Sequence, residues 1–319
     1  MTTPRKNSSV QEPACQGAKL FKEYLEFLHQ DRGLAATTIQ CRRAPVLDFL
    51  KAYRDHATPS RIGRVHPRMI HEYMIKTIRL FPRPKKRMWL TGVRDFFKFV
   101  YLKGYHGRNL ANAVPTLISY KLDRVPRALS WETVEKLLKS PDRRRPIGRR
   151  DYAILLLLAT YGVRSIQIAN LRFQDIHWRE GTIYFEAHKG GKPLLFPLGK
   201  PVVEALLNYI KKDRRELSHP YVFVKHQTGP TRGQRIGRAL WYMVHRHLQK
   251  IGITALIPSR GPHAIRHAFA TRMLAERKPL KTIADLLGHR SLSSTFIYTK
   301  VDVEQLRGLA RHWPEVSDE

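Results

Sequence analysis

The chain has 319 residues, which is enough for two domains of ordinary size, each with its own core. Its 58 Lys and Arg outnumber its 26 Asp and Glu, and the net charge of +32 divides into +15 on residues 1–124 and +17 on the remainder. The repulsion among so many like charges favours a polyanionic partner, and we expect nucleic acid rather than an anionic membrane. No apolar run approaches the ~20 residues of a membrane-spanning helix. Two cysteines without a CxxC pair predict a cytoplasmic location.

Apolar side chains recur at helical spacing over residues 18–105, after a polar segment, 1–17, that we expect to be disordered. The pattern predicts about four helices in this region. Pro67 is well placed as a first-turn proline of the third helix. Pro45 lies within the second helical pattern, where a proline should start or kink the helix. We therefore predict an all-helical domain with one irregular helix.

The fourth predicted helix and its approach are strongly basic. The cations that we single out are Lys85, Lys86, Arg87, Arg94 and Lys98. Charges of this kind often form no more than a solvated helix face. In a chain with this net charge, we expect them to contact the DNA backbone.

The pattern changes after this domain. Residues 106–128 lack clear periodicity and are predicted to be a linker, which leaves 129–319 as the second domain. Ser130 is a predicted N-cap for the first helix of that domain. A strongly apolar helix follows over residues 152–161 and ends at Gly162.

Two strands are predicted in the middle of the second domain, over residues 182–186 and 194–198. The glycine-rich segment 188–192 between them predicts a hairpin turn, with Lys189 at its tip. The rest of the chain is predicted to be mostly helical, with loops at residues 225–235 and 254–262.

Residues with chemical potential concentrate near the end of the chain. His263 and Arg266 are three residues apart, and this spacing places both on one face of a helix. His289 follows Arg266 by 23 residues, and Tyr298 follows His289 by nine. His267 could pair with His263 as a zinc ligand pair, but the sequence offers neither HExxH nor a placed third ligand.

These residues, with Gly162-Val-Arg164 and the hairpin lysine, closely resemble the boxes of the tyrosine recombinase, or phage integrase, family. The resemblance covers residues 126–310, and the helical N-terminal region is similar to the core-binding domain of the family. It implies a mainly α fold (α+β) with a small antiparallel β-sheet in a mixed helical catalytic domain. It also implies a C-shaped clamp around DNA.

The resemblance implies strand cleavage by tyrosine attack on a phosphodiester, giving a 3′-phosphotyrosine, with no metal or other cofactor. Two arginines would stabilise the transition-state charge, a histidine would act as base, and the hairpin lysine would act as acid. A second histidine would donate a hydrogen bond to the phosphate. The implied catalytic residues are Arg164, Lys189, His263, Arg266, His289 and the nucleophile Tyr298. Lys192, on the same hairpin, is the alternative to Lys189.

Some positions and functions stay open. The family has a small residue and a glutamate where this chain has Ile166 and Gln167. Asp175 and His267 are predicted to be supporting residues. An apolar pattern over 301–313 predicts a short helix. This helix either packs on its own domain or docks on a neighbouring copy of the chain in a tetramer assembled on DNA. Alternative functions are DNA relaxation by a type IB topoisomerase-like enzyme and a non-catalytic DNA-binding regulator.

Overall fold

The computed structural model divides the chain into two compact units, Met1–Tyr120 and Lys121–Glu319. It describes residues 17–79, 81–117, 129–188, 190–214, 219–226, 229–253, 261–291 and 295. Among the described helices, none combines the length and the apolar content that crossing a membrane requires. The predicted disorder of the first residues lies outside the described ranges.

The N-terminal unit contains the four helices that the periodicity predicts. They are α1 (Ala18–Gln30), α2 (Ala36–Ala52), α3 (Pro67–Tyr73), which continues as a π-helical turn over Met74–Ile78, and α4 (Arg83–Leu102). Pro67 occupies the first turn of α3, as predicted. Edge-to-face aromatic contacts build the core, with Tyr24 against Phe96 at 5.4 Å and Phe49 against Phe97 at 5.2 Å between ring centroids.

Pro45 lies inside α2 and does not start it, because the helix begins nine residues earlier at Ala36. The proline ring is buried against α4, where a Cβ on Gly92 would come within 2.8 Å of it. A proline removes one helical hydrogen bond. Close packing of α2 on α4 compensates for that loss, and only the absence of a side chain at Gly92 allows this approach.

The first part of the predicted linker belongs to the N-terminal unit. Residues Leu110–Ala113 form a 3-10 turn, and Leu110, Ala111 and Val114 are buried in the core of this unit. Arg94 fastens the segment by donating hydrogen bonds to the carbonyls of Val114 at 3.0 Å and Pro115 at 2.8 Å. The linker prediction was therefore wrong for 106–117, because these residues pack through isolated apolar contacts without a repeat. Residues 118–128 lie outside the described ranges.

The second unit contains seven helices and one sheet in the described residues. Its elements are α5 (Trp131–Lys139), α6 (Pro146–Tyr161), α7 (Ser165–Asn170), β1 (Ile176–His177), β2 (Thr182–Phe185), β3 (Leu194–Pro197), α8 (Lys200–Tyr209), α9 (Ala239–Lys250), α10 (Pro262–Ala275) and α11 (Leu280–Leu286). The Ser130 hydroxyl caps α5 by accepting from the Thr133 amide, as predicted. The chain is thus mainly helical with a small sheet, which confirms the predicted fold class.

The antiparallel sheet has the order β1-β2-β3. The β2–β3 hairpin was predicted, but β1 has only two residues and is too short to show a period of two. Ile183 and Phe185 point from β2 into the core, which is centred on α6. Helices α5, α8 and α10 pack around α6, so the end of α6 and the start of α7 are held at the centre of this unit.

Candidate active site

The first element of the site is the sharp turn between α6 and α7. Gly162 ends α6 in the left-handed region, with φ of 59°, and a Cβ there would lie 2.5 Å from the ring of Phe269 on α10. Both the positive φ and the close contact require glycine. Arg164 follows as the N-terminal flanking residue of α7. The turn thus presents the first arginine directly beside α10.

Gln167, the departure from the family glutamate, connects Arg164 to the hairpin. Its Oε1 accepts from the Arg164 backbone N–H at 3.0 Å, and its Nε2 donates to the Glu186 carbonyl at 3.0 Å. The side chain is 3% exposed. An ionised glutamate could accept the first bond but could not donate the second. In this chain the amide therefore joins the first-arginine turn to the end of β2, three residues before Lys189.

Arg266 joins three parts of the chain that are distant in sequence. Its Nη1 donates to the Gly162 carbonyl at 2.9 Å, and its Nη2 donates to the Leu287 carbonyl at 2.6 Å. Nη2 also donates to His289 Nε2 at 2.9 Å. The two carbonyls follow the C-terminal ends of α6 and α11, where a cation is favoured by the helix dipoles. Arg266 as a whole is 3% exposed, so the orientation of its guanidinium is set by the fold.

His289 is held through both ring nitrogens. Nε2 accepts from Arg266, so the proton of the neutral ring lies on Nδ1, which donates to Thr295 Oγ1 at 2.8 Å. Burial, and then the positive charges of Arg266 and Arg164, lower the pKa of His289 to about 4. In this arrangement Nε2 supports Arg266. The predicted hydrogen bond from His289 to a phosphate would need a second proton or a change of tautomer, and it stays a prediction.

His263 and His267 occupy the first turns of α10. His263 is exposed, whereas His267 is partly buried behind it, with 6.5 Å between the ring centroids. Burial, and then the charges of His263 and Arg266, lower the pKa of His267 to about 4. The exposed ring is the one available to a substrate, which fits the predicted base, and the neutral inner ring fits a supporting role. Within the described part of the chain, no three His, Cys, Asp or Glu side chains cluster to hold a metal.

Lys189 lies outside the described residues, but Gly191, two residues after it, lies beside the site. A Cβ on Gly191 would lie 2.9 Å from the Gly288 carbonyl and 3.5 Å from Arg164 Nη1. Lys192 forms an ion pair with Asp285 on α11, with 3.7 Å between Nζ and Oδ1. The ion pair of Lys192 supports the choice of Lys189 over it, and this choice stays a prediction.

Tyr298 and the predicted helix over 301–313 also lie outside the described residues. The nearest described position is Thr295, whose side chain is fully buried and bonded to His289. Thr295 was not singled out from the sequence. A threonine six residues after a histidine has no distinctive spacing, so only the folded contact reveals its role. Asp175 caps a 3-10 turn by accepting from the Arg172 N–H at 2.8 Å. Its predicted support of the first-arginine helix stays a prediction.

The basic residues predicted to contact DNA in the N-terminal unit have different surroundings. Lys85, Arg87 and Lys98 are exposed, and Lys86 is partly exposed. Lys85 Nζ lies 3.6 Å from the centroid of the Phe81 ring, a cation–π contact. Arg94 differs from the others, because its guanidinium holds the segment after α4. The structural role of Arg94 was missed from the sequence, and DNA contact by this set stays a prediction.

Comparison with known proteins places these motifs in a family. Residues 127–305 match the model of the phage integrase family. The chain is 33% identical to a putative integrase/recombinase, y4rA, of Sinorhizobium fredii, over 91% of this chain and 70% of that relative. It is 29% identical to the tyrosine recombinase XerD of Listeria monocytogenes, over 92% of this chain and 98% of that relative.

A solved structure has the same fold. The XerH site-specific recombinase bound to difH substrate, in a pre-cleavage complex, superposes with a TM-score of 0.67 at 21% sequence identity. The superposition covers 93% of this chain and 85% of that one. The motif order, the matched family model and the fold agree. The chain belongs to the phage integrase family, that of the tyrosine-type site-specific recombinases.

Proposed function

We propose that this chain cuts and rejoins DNA at specific sites through attack of Tyr298 on a phosphodiester held by Arg164 and Arg266. The observation that carries the proposal is the bonding of Arg266. Its buried guanidinium joins the first-arginine turn, the end of α11 and His289 in one place. A preorganised cation of this kind stabilises charge that develops on a phosphate without rearranging during the reaction.

The proposed chemistry balances within one phosphodiester. The Tyr298 oxygen forms a bond to phosphorus while the bond from phosphorus to the 5′-oxygen breaks. A phenol with an ordinary pKa of about 10 is a weak nucleophile at neutral pH, so His263 takes its proton. Lys189 gives a proton to the departing 5′-oxygen. The 3′-phosphotyrosine retains the bond energy, and a 5′-hydroxyl from another strand reverses the attack.

The proposed partner is double-stranded DNA, in agreement with the net charge of +32. The XerH neighbour is itself a complex with its difH substrate. We further propose a tetramer on two duplexes, with the segment 301–313 docking on a neighbouring copy, and action in the cytoplasm. A chain that ends after Asp302 should bind DNA but fail to bring two sites together. Unchanged pairing of sites by the shortened chain would refute the docking.

The test of the proposed chemistry is covalent trapping. The protein is mixed with a pool of randomised duplexes that carry a nick, so that the short fragment released by cleavage diffuses away and the adduct accumulates. We expect a protein–DNA adduct with the wild type and with Tyr101→Phe, a matched exposed tyrosine. Tyr298→Phe should give none while DNA binding remains. An adduct that persists in Tyr298→Phe would identify a different nucleophile.

Two further outcomes distinguish the alternative functions. A non-catalytic regulator would give no adduct with any variant. The trapped DNA is then sequenced, and two copies of the recovered site are placed on separate duplexes. Exchange of the flanking DNA identifies a recombinase, whereas relaxation of supercoils without exchange identifies topoisomerase-like activity.

A further inference from the structure

A second cationic site lies in the second unit, apart from the cluster of Arg164 and Arg266. It is a cavity of about 300 Å³. The residues that line it are Arg150, Lys225, Ala239, Tyr242, Met243 and Arg246. Three side chains carry positive charge, a phenol is present, and no carboxylate lines the cavity. This composition disfavours both a metal ion and an uncharged apolar ligand.

A buried carboxylate binds two of the three cations. Asp151 is fully buried, and its Oδ1 accepts from Arg150 Nε at 3.0 Å and Nη2 at 2.7 Å. Its Oδ2 accepts from Arg246 Nη2 at 2.9 Å and bonds His247 Nε2 at 3.0 Å. One negative charge thus balances one of two guanidinium charges, so the group retains an excess of positive charge facing the cavity. Arg150 is buried and also donates from Nη1 to the Val224 carbonyl at 3.0 Å, so its position is fixed, whereas the side chain of Arg246 is 57% exposed.

Lys225 supplies the third charge, and its backbone is hydrogen-bonded on both sides. Its backbone N–H donates to the Gln234 carbonyl at 2.8 Å, and its carbonyl accepts from the Gly233 N–H at 2.8 Å. In the part of the chain that the structure describes, no hydrogen bond or ion pair engages its ammonium group. Tyr242, from α9, places a ring that is 67% exposed beside it. The cavity therefore combines one fixed guanidinium, a second arginine, an ammonium group and a hydroxyl donor.

Helix α9, which supplies Tyr242 and Arg246 to the cavity, also packs against α10. Trp241 precedes Tyr242 on this helix, and a Cβ on Gly261 would lie 2.4 Å from Trp241 Nε1. Gly261 is the N-terminal flanking residue of α10, two positions before His263. Trp241, the residue before Tyr242 on α9, is thus directly adjacent to the start of α10.

We propose that this cavity binds a phosphate of the DNA backbone other than the phosphate that is cleaved. The inference rests on the proposed function, because it assumes that DNA is the substrate. A phosphodiester is an anion with several acceptor oxygens, and it matches two arginines, a lysine and a phenol. The cavity exceeds the size of a single phosphate and accommodates an adjoining sugar as well. Contacts of this kind position DNA without reading its sequence.

The test measures non-covalent binding in the Tyr298→Phe background, so that its outcome is independent of the nucleophile assignment. Affinity for a duplex of mixed sequence is measured by fluorescence anisotropy over a series of salt concentrations. Lys225→Ala should reduce the slope of log affinity against log salt by about 0.9, the value for one phosphate contact. Lys139→Ala, which removes an exposed charge of α5, should leave the slope unchanged. Equal slopes in Lys225→Ala and the background protein would overturn the proposal.

A second variant separates direct contact from a general change of charge. Tyr242→Phe removes only the hydroxyl, so it should lower affinity by roughly five-fold, the loss expected for one hydrogen bond, without changing the salt slope. Wild-type affinity in this variant would contradict the role of Tyr242. Equal reductions in slope for Lys225→Ala and Lys139→Ala would show that net charge alone is responsible, and would also overturn the proposal.

Free phosphate is the other source of the same chemistry. Inorganic phosphate is added at constant ionic strength, and the thermal unfolding midpoint is compared in the wild type and in Lys225→Ala. Stabilisation that requires Lys225, together with an unchanged DNA salt slope, would identify a site for a free anion and refute the DNA assignment. A reduced slope in Lys225→Ala with an unaltered unfolding midpoint in buffer supports a DNA phosphate.

Discussion

Replacement of Gln167 tests whether its amide holds the first-arginine turn to the hairpin. Gln167→Leu keeps a side chain of similar length in a position that is 3% exposed, but it leaves the Arg164 N–H and the Glu186 carbonyl without their partner. Each buried group that loses its bond costs about 1–3 kcal/mol. Glu186 is exposed, so water can replace the amide at its carbonyl, and the Arg164 N–H carries the main penalty. We therefore expect the free energy of unfolding to fall by about 1–3 kcal/mol, measured by urea denaturation. The rate of adduct formation should fall as well.

Gln167→Glu is the sharper variant, since it keeps the acceptor for Arg164 and loses only the donor to Glu186. At neutral pH the expected loss is about 1–3 kcal/mol. Burial beside a carbonyl raises the pKa of the new carboxyl in the folded state, so the protonated form, which can donate, is favoured. Relative to the wild type, this variant should be most stable below the unfolded carboxyl pKa of about 4.3 and should lose stability as the pH rises. Wild-type stability at pH 8 would refute the reasoning.

Three further changes probe the same site. Thr295→Val keeps the side-chain volume and removes the hydrogen-bond partner of His289 Nδ1. We expect the free energy of unfolding to fall by about 1 kcal/mol and adduct formation to slow. An unchanged rate of adduct formation would contradict the supporting role of Thr295. Gly162→Ala combines a positive φ with a Cβ 2.5 Å from Phe269, so calorimetry should show a loss of about 2–5 kcal/mol. The pKa values of His267 and His289 fall from 6.5 to about 4 on folding. Their contribution to the free energy of unfolding should therefore be fully present above pH 6.5 and be lost as the pH falls towards 4. Thermal unfolding midpoints measured across this pH range test the prediction.

Local patterns were sufficient for much of the fold. Helical periodicity and proline position predicted the four N-terminal helices, and glycines with flanking apolar runs predicted the β2–β3 hairpin. These signals depend on neighbours within one or two turns, so they are present in the linear sequence. These local signals do not predict β1, which is too short to show a pattern. They also do not predict the packing of residues 106–117, which depends on contacts such as those from Arg94.

The candidate site divides in the same way. The order and spacing of Arg164, His263, Arg266, His289 and Tyr298 identified the family from the sequence, because the chemistry demands those residue types. Their partners depended on the tertiary structure. The acceptors of the buried Arg266 are carbonyls 104 and 21 residues away, and the amide of Gln167 reaches a carbonyl 19 residues away. Backbone carbonyls carry no sequence signature, so only the packing of α6, α10 and α11 determines which of them an arginine meets.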